Sequence, residues 1–445
     1  MMMRKKCMAL VLAAIFPLQA QALGLLEGYQ LAREHDPQFR MAQAALNEGA
    51  TLPGISRAQL LPNVSAFASR SKINGSQEAP NVLGKVTETP LDYRSESRQL
   101  QLRQPLFNVY RVLDYKQSHL KADQAESEFD VEQNRLINRY LASYLDVQLH
   151  QQNVRFAEAL VASLREVLKF ARKQYQLGEG TVIDVSDAEA KLAIAEARLI
   201  ESEGLLAEAT QGLSSMTGQP AVSIHAIDPQ IKGLLVISKD LQQLKEKTED
   251  APEVRRSRQL VEIAEVELKK IRSNHLPTLD LVASKSYSQA ESVSTRDQTT
   301  RQNVIGFQLN IPLLAGGQLY YQGEAGRARL ERAEAESDNT RQQVQLELAK
   351  SYHGLQSGLR KIDGYVRSVQ ASEVLVKASR KGIDVGVRTT VDLLDAEEQL
   401  YTSRRNLVEA QNQAVANWIR LKSLQGELRE ADVAELDKWF VSGKN

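Results

Sequence analysis

Internal disulfides are excluded at once, because Cys7 is the single cysteine among 445 residues. The same scarcity rules out a cysteine-based zinc site. Charge of one sign is missing too. Lys and Arg total 56, as do Asp and Glu, so no net positive field draws the chain toward nucleic acid. Aromatic residues reach only 5% and prolines number 12, a balance that suits long helices better than an open β-sandwich. Past the first 22 residues no uninterrupted apolar run approaches 18 residues, so no transmembrane helix is expected. An outer-membrane barrel, whose hydropathy signal is much weaker, stays open. A hydrophobic content of 42% excludes general disorder.

Catalytic signatures are absent as well. The six histidines, at positions 35, 119, 150, 225, 275 and 353, show no ligand spacing. There is no P-loop, no GxSxG elbow and no HExxH helix. Gly316-Gly317 lacks the rest of a dinucleotide fingerprint and is read as a bend. No cofactor and no metal is expected.

The amino terminus has a definite pattern. Arg4, Lys5 and Lys6 precede an apolar run from Met8 to Leu18, and Ala20-Gln21-Ala22 places small residues at a cleavage site. A signal peptide over 1–22 is predicted, cleaved after Ala22. Its removal leaves 53 basic against 56 acidic residues, a net of −3. Cys7 precedes the apolar core, so no lipid-anchored cysteine is expected at the cleavage point.

The rest of the chain is written twice. Arg172-Lys173, Gly178-x-x-Thr181-x-x-Asp184-Val185-x-Asp187-Ala188-Glu189 returns as Arg380-Lys381, Gly386-x-x-Thr389-x-x-Asp392-Leu393-x-Asp395-Ala396-Glu397, 208 residues on. Gln101-Leu102-x-x-Pro105-Leu106 returns as Gln308-Leu309-x-x-Pro312-Leu313 at an offset of 207. Leu61-Pro62 returns as Leu276-Pro277 at 215. Four matches in conserved order, with Pro37-x-x-Arg40 and Pro252-x-x-Arg255 the fourth, make each repeat a whole structural half.

Each half begins with a helical region, Leu25 to Gln59 and Leu241 to Asn274, in which Pro37, Pro53 and Pro252 are expected to kink or break the helix. Period-two alternation follows. Val64, Ala66 and Ala68, then Leu100 and Leu102, alternate with mostly polar residues; so do Leu279, Leu281 and Ala283, then Ile305, Phe307, Leu309 and Ile311. These read as strands with one apolar face. The Gly, Pro, Asn, Ser and Thr-rich stretches between them, 72–95 and 286–303, read as long loops. From Leu106 to Leu177 the residues fit a helical period, with Leu136, Tyr140, Tyr144, Val147 and His150 near three-four spacing, enough for a helix on the order of 100 Å long. Such length points to helices packed side by side in a coiled-coil-like wall. The predicted division is therefore 1–22 signal peptide, 23–213 first repeat, 214–240 connector, 241–426 second repeat and 427–445 tail.

The repeated Gly-x-x-Thr-x-x-Asp is the polar constellation of interest. Gly178 and Gly386 end one helix, Thr181 and Thr389 cap the next, and Asp184 and Asp392 complete capping boxes. A capping box does not need the further acids Asp187 and Asp395, which lie on the same helical face. Around a shared axis these faces would form carboxylate rings that select cations, and the two roles are compatible.

With its signal peptide, duplicated halves, two strands per half, very long helices and Val391-Asp392-Leu393-Leu394-Asp395-Ala396 after Gly386-x-Arg388-Thr389, the chain over 23–445 resembles the TolC family of outer-membrane channel proteins. The resemblance implies a mainly α fold with a membrane β-barrel. A homotrimer would contribute four strands per protomer to a twelve-stranded barrel surrounded by outer-membrane lipid, and an α-helical tunnel would extend into the periplasm. It implies that Asp392 and Asp395 form the aperture constriction. Arg388 would link to Asp184 on the neighbouring outer helix pair to help hold the aperture closed, with both Gly-x-x-Thr turns at the periplasmic tip. Ile383 stands where the family has a tyrosine, so the closed state would rest more on Arg388.

The function implied is the passive outer-membrane duct of a tripartite export system. Its partners would be a periplasmic adaptor and an inner-membrane ABC transporter or proton-driven pump. The absence of a lipid-attachment cysteine near Ala22 favours type I protein secretion over multidrug efflux. A periplasmic coiled-coil adaptor without a pore is the alternative from another class; it should carry one hairpin rather than two equivalent halves.

Overall fold

The protein is described by a computed structural model covering residues 23–80, 82, 84–220, 224–227, 233, 235, 240–292 and 295–441. The expected signal peptide lies outside the described residues, as do 221–223, 228–232, 234 and 236–239 of the expected connector. The helices are α1 (Leu25–His35), α2 (Pro37–Ala58), α3 (Val109–Gln176), α4 (Val182–Thr217), α5 (Leu241–Glu246), α6 (Pro252–Arg272), α7 (Gln318–Asp384), α8 (Thr390–Leu424) and α9 (Glu430–Asp437). The strands are β1 (Asn63–Pro80), β2 (Val86–Phe107), β3 (Ala226–Ile227), β4 (Thr278–Ser292), β5 (Thr295–Asn310) and β6 (Phe440–Val441). None of the described helices is long and apolar enough to cross a membrane.

The prolines act in two different ways. Pro37 and Pro252 each begin a helix, where the missing N–H has no intrahelical partner to lose. Pro53 lies inside α2, which continues to Ala58. The kink or break expected at Pro53 does not divide the helix.

Contacts divide the chain into two compact units. One comprises Met41–Val131 and Thr248–Gln345; the other comprises the segment ending at Arg40, with Glu132–Lys247 and Leu346–Asn445.

In the first of these, β1, β2, β4 and β5 form an antiparallel sheet in the order β1-β2-β4-β5. Register brings Val64, Leu102, Ala283 and Ile305 onto one rung, and Ser65, Gln101, Ser284 and Val304 onto the next. Because side chains alternate across a sheet, every apolar residue singled out on the four strands falls on the same face. That face is open: Ile305 is 78% and Phe307 72% exposed. The opposite face is polar apart from residues such as Phe67 and Val304, and there Arg103 grips the buried Asp280 at 2.6 Å.

The strands run much further than the alternation suggested. The stretches 72–95 and 286–303 are not long loops: β1 pairs with β2 out to Pro80 and Val86, and β4 with β5 out to Ser292 and Thr295. Glycines, serines and threonines disfavour strands only weakly when the backbone ladder is closed by a partner. Pro90 is tolerated because the β2–β4 pairing begins at Ser95, which leaves Pro90 at a sheet edge.

Lys270 of α6 is buried beside these strands' connecting helices, with its ammonium 2.7 Å from Glu267 and 3.1 Å from Asp114. It also donates to Gln117 at 2.9 Å. Burial alone would lower the pKa of Lys270, but the hydrogen bonds to Glu267 and Asp114 outweigh it and raise the value.

In the other unit, α1 is fixed where backbone groups at its start meet side chains of α3 and α9. Tyr140 donates to the Leu25 carbonyl at 2.8 Å, Tyr144 to that of Leu23 at 2.9 Å, and Leu25 N–H reaches Asp437 at 2.8 Å. Leu136, Tyr140, Tyr144 and Val147 are all buried, as their spacing on α3 requires. A second core joins α3, α4, α7 and α8 near their turns through Leu164, Leu168, Ala188, Leu394 and Leu400, with Ile383 packed against it. Gly354 and Gly358 of α7 let α8 approach: a Cβ on Gly354 would lie 2.8 Å from Asn417.

Candidate functional site

The two hairpin turns, α3 to α4 and α7 to α8, are built alike. Gly178 (φ +78°) and Gly386 (φ +74°) take the left-handed conformation that ends each helix. The N–H groups of Glu179 and Gly180 both donate to Gln174, and those of Val387 and Arg388 both donate to Gly382. Each turn therefore satisfies the last carbonyls of one helix before the next helix begins.

The next helix is capped by its own side chains. Asp184 N–H donates to Thr181 Oγ1 at 3.1 Å, and Thr181 N–H returns to Asp184 Oδ2 at 3.0 Å. In the second hairpin Asp392 N–H donates to Thr389 Oγ1 at 3.2 Å, and Thr389 N–H to Asp392 Oδ2 at 2.9 Å. The Thr389 N–H, then its hydroxyl and the neighbouring Arg388, hold the Asp392 carboxyl below the usual aspartate range.

Among the differences between the two turns, one pair of positions changes together. Gln174 and Gly180 in the first turn correspond to Gly382 and Arg388 in the second. A Cβ on Gly382 would lie 2.6 Å from Arg388 Cγ. The bare α-carbon at 382 is what lets the arginine lie down over the helix end. Its guanidinium then reaches Asp392 at 3.5 Å, one helical turn away.

Within the chain Arg388 pairs with Asp392, not with Asp184. Asp184 accepts both the N–H and the hydroxyl of Thr181, while Asp392 stands at i+4 from Arg388 on the same helix. The expected constriction residues are likewise not bare. Asp392 is bonded to Thr389 and Arg388, and Asp395, itself exposed, is ion-paired with Lys191 of α4. Among the described residues Asp187 forms no ion pair.

Lys191 has no counterpart in the repeat, where Gln399 stands, so the duplication gave no signal for it. Another signal was visible but carried no role: Arg172 and Glu189 recur as Arg380 and Glu397. Arg172 bonds Glu189 at 2.7 Å between α3 and α4, and Arg380 bonds Glu397 at 2.9 Å between α7 and α8. Glu397 is buried and also accepts from Ser163 of α3 at 2.6 Å, so that it ties three helices. Arg198 and Glu398 make a further link between α4 and α8. Near the two hairpin turns Glu189, Asp392, Asp395, Glu397 and Glu398 are thus each ion-paired with a basic side chain, an arrangement suited to a polar gate. Among the described residues no group of three His, Cys, Asp or Glu is placed to hold a metal.

Comparison with known proteins agrees with the duplicated plan. The family model described as outer membrane efflux protein matches residues 28–219 and again 244–427. The proteases secretion protein PrtF of Dickeya chrysanthemi is 30% identical over 99% of this chain and 96% of its own length. The alkaline protease secretion protein AprF of Pseudomonas aeruginosa is 31% identical over 96% of this chain and 89% of its own. The crystal structure of the outer membrane protein VceC from Vibrio cholerae superposes with a TM-score of 0.73 at 21% identity, covering 90% of this chain and 96% of that one. The chain belongs to the outer membrane efflux protein family, the TolC-like channels of the outer membrane.

Proposed function

We propose that three copies of this chain form a passive duct through the outer membrane and periplasm, serving type I protein secretion. The observation that carries this reading is the sheet. One face carries an apolar band across all four strands, the other is largely polar, and the edge strands β1 and β5 each have one side without a partner among the described residues. A four-stranded sheet cannot close on itself, and exposed edges are not tolerated in lipid. Pairing β5 of one copy with β1 of the next closes twelve strands around a water-filled bore.

Secretion of proteins, rather than of drugs, is supported by PrtF and AprF, both named for protease secretion and both matched over nearly the whole chain. Channels of this family work with an adaptor and an inner-membrane transporter. For this chain an ABC transporter is the partner that fits protein cargo. The signal peptide would be removed after Ala22, leaving Leu23 at the start of the mature chain, where its carbonyl accepts from Tyr144. Asp392 and Asp395 form the cation-selective constriction at the tip, and Arg388 and Lys191 hold their charges in the closed state. The protein carries out no chemistry; its cargo moves on energy supplied from the inner membrane.

The test is a cysteine scan of β5 from Val304 to Leu309 in proteoliposomes, labelled with a membrane-impermeant maleimide. Positions 304, 306 and 308 should label and 305, 307 and 309 should not. Uniform labelling would remove the barrel.

A further inference from the structure

We infer that the outward face of the sheet carries a binding collar for phosphate-bearing lipid headgroups, where Arg98 and Arg301 flank Tyr287 and Lys285 and Arg70 stand on the adjoining rungs at the edge of the apolar band. The inference rests on the reading of that face as the lipid-contacting surface, and goes on to name the kind of lipid it selects.

Followed toward the hairpin turns, each strand leaves its apolar stretch in the same way. The first charged residue on the outward face is basic every time: Arg70 beyond Ala68, Arg98 beyond Leu100, Lys285 beyond Ala283 and Arg301 beyond Ile305 and Asn303. Arg98, Tyr287 and Arg301 share one rung. The two guanidinium carbons stand 5.8 and 5.5 Å from the centre of the tyrosine ring, which holds their planar forks over one spot. All four basic side chains are exposed. One acid lies on these rungs, Glu96, and it pairs with Arg98. Arg70, Lys285 and Arg301 form no ion pair among the described residues.

The other face of the same rungs decides what the charge is for. There Ser69, Ser97, Gln99, Ser286, Thr300 and Gln302 are all neutral. Charge serving only solubility, or lining a water-filled bore, would not be confined to the face that carries the apolar band. Basic residues and a tyrosine at the edge of such a band match an anionic membrane surface, and arginine forks match phosphate oxygens. The occupant is a lipid rather than a soluble phosphate, because the same face offers the acyl chains an apolar surface directly below the collar.

The full-length protein in non-ionic detergent micelles is titrated, by native mass spectrometry, with bis-phosphorylated lipid A and with the same lipid after dephosphorylation. The wild type should bind the phosphorylated lipid about tenfold or more tightly, and added salt should shrink that advantage. The variant Arg70→Gln/Arg98→Gln/Lys285→Gln/Arg301→Gln should lose it. Equal wild-type affinity for the two lipids, or an undiminished preference in the variant, overturns the collar. Channel conductance in planar bilayers is recorded alongside. If the wild type forms no channels, the barrel itself fails. If only the variant fails to form channels it has misfolded, and the two-lipid comparison and its salt dependence in the wild type decide the matter.

Discussion

Arg388 occupies the space that a side chain on Gly382 would need, its Cγ lying 2.6 Å from where a Cβ would stand. The first hairpin reverses the arrangement, with Gln174 on the helix and Gly180 in the turn. There a Cβ on Gly180 would meet Gln174 Cβ at 3.1 Å. One side chain fits across each turn, and only the second turn uses that room for a charge.

Gly382→Ala should therefore act through Arg388. Displacing the arginine breaks its 3.5 Å pair with Asp392, and single-channel conductance in planar bilayers should rise, as it should in Arg388→Ser. The double variant should match either single one, since both remove the same interaction. Additive increases would mean that Gly382 acts elsewhere.

The paired carboxylates should respond in opposite ways to loss of charge and loss of partner. Asp392→Ala with Asp395→Ala should raise the concentration of divalent cation needed for half-block of the current, by roughly tenfold. Lys191→Met, which frees Asp395, should lower it. A block unchanged in both variants would separate these residues from the constriction.

In Asp395→Ala the block that remains is assigned to Asp392, and its pH dependence follows from the cap. Thr389 and Arg388 depress the Asp392 pKa, so the carboxylate stays charged until the pH falls through that depressed value. Adding Thr389→Ala removes the hydroxyl, and the pH at which block is lost should move upward. The hairpin should also lose about 1 kcal/mol of local stability with the cap. An unmoved midpoint would dissociate the cap from the block.

Lys270→Met tests the buried cluster on α6. It leaves Asp114 and Glu267 without their cation, and thermal unfolding followed by circular dichroism should show a loss of about 3 kcal/mol. The pKa of Asp114 and that of Glu267 are both lowered, burial opposing and the bonds to Lys270 prevailing. Their contribution is thus complete above the unfolded carboxylate values near about 4 and is lost as pH falls through the depressed ones. The wild-type advantage over the variant should shrink on acidification below that range.

Much of this was legible in the residues. Duplication exposed both capping boxes, because a helix start must repeat its Thr and Asp spacing to repeat its hydrogen bonds. Alternation exposed the apolar ends of the strands, where one face is apolar and the other polar. It failed over 72–95 and 286–303, where residues such as Ile73, Leu91 and Tyr287 are scattered among polar ones and no period of two survives, although the backbone ladder continues. The Arg388–Asp392 pair went unnoticed, because the resemblance pointed to Asp184 on a neighbouring helix pair and not to an acid at i+4 on the same helix. Lys191 was invisible for a simpler reason: its partner is 204 residues away and its counterpart is a glutamine.

The claim beneath all of this is closure of an open four-stranded sheet by copies of itself. Native mass spectrometry of the protein released from detergent micelles measures it directly. Three chains per particle is the predicted result; a single chain, or any assembly that is not a multiple of three, would contradict the account.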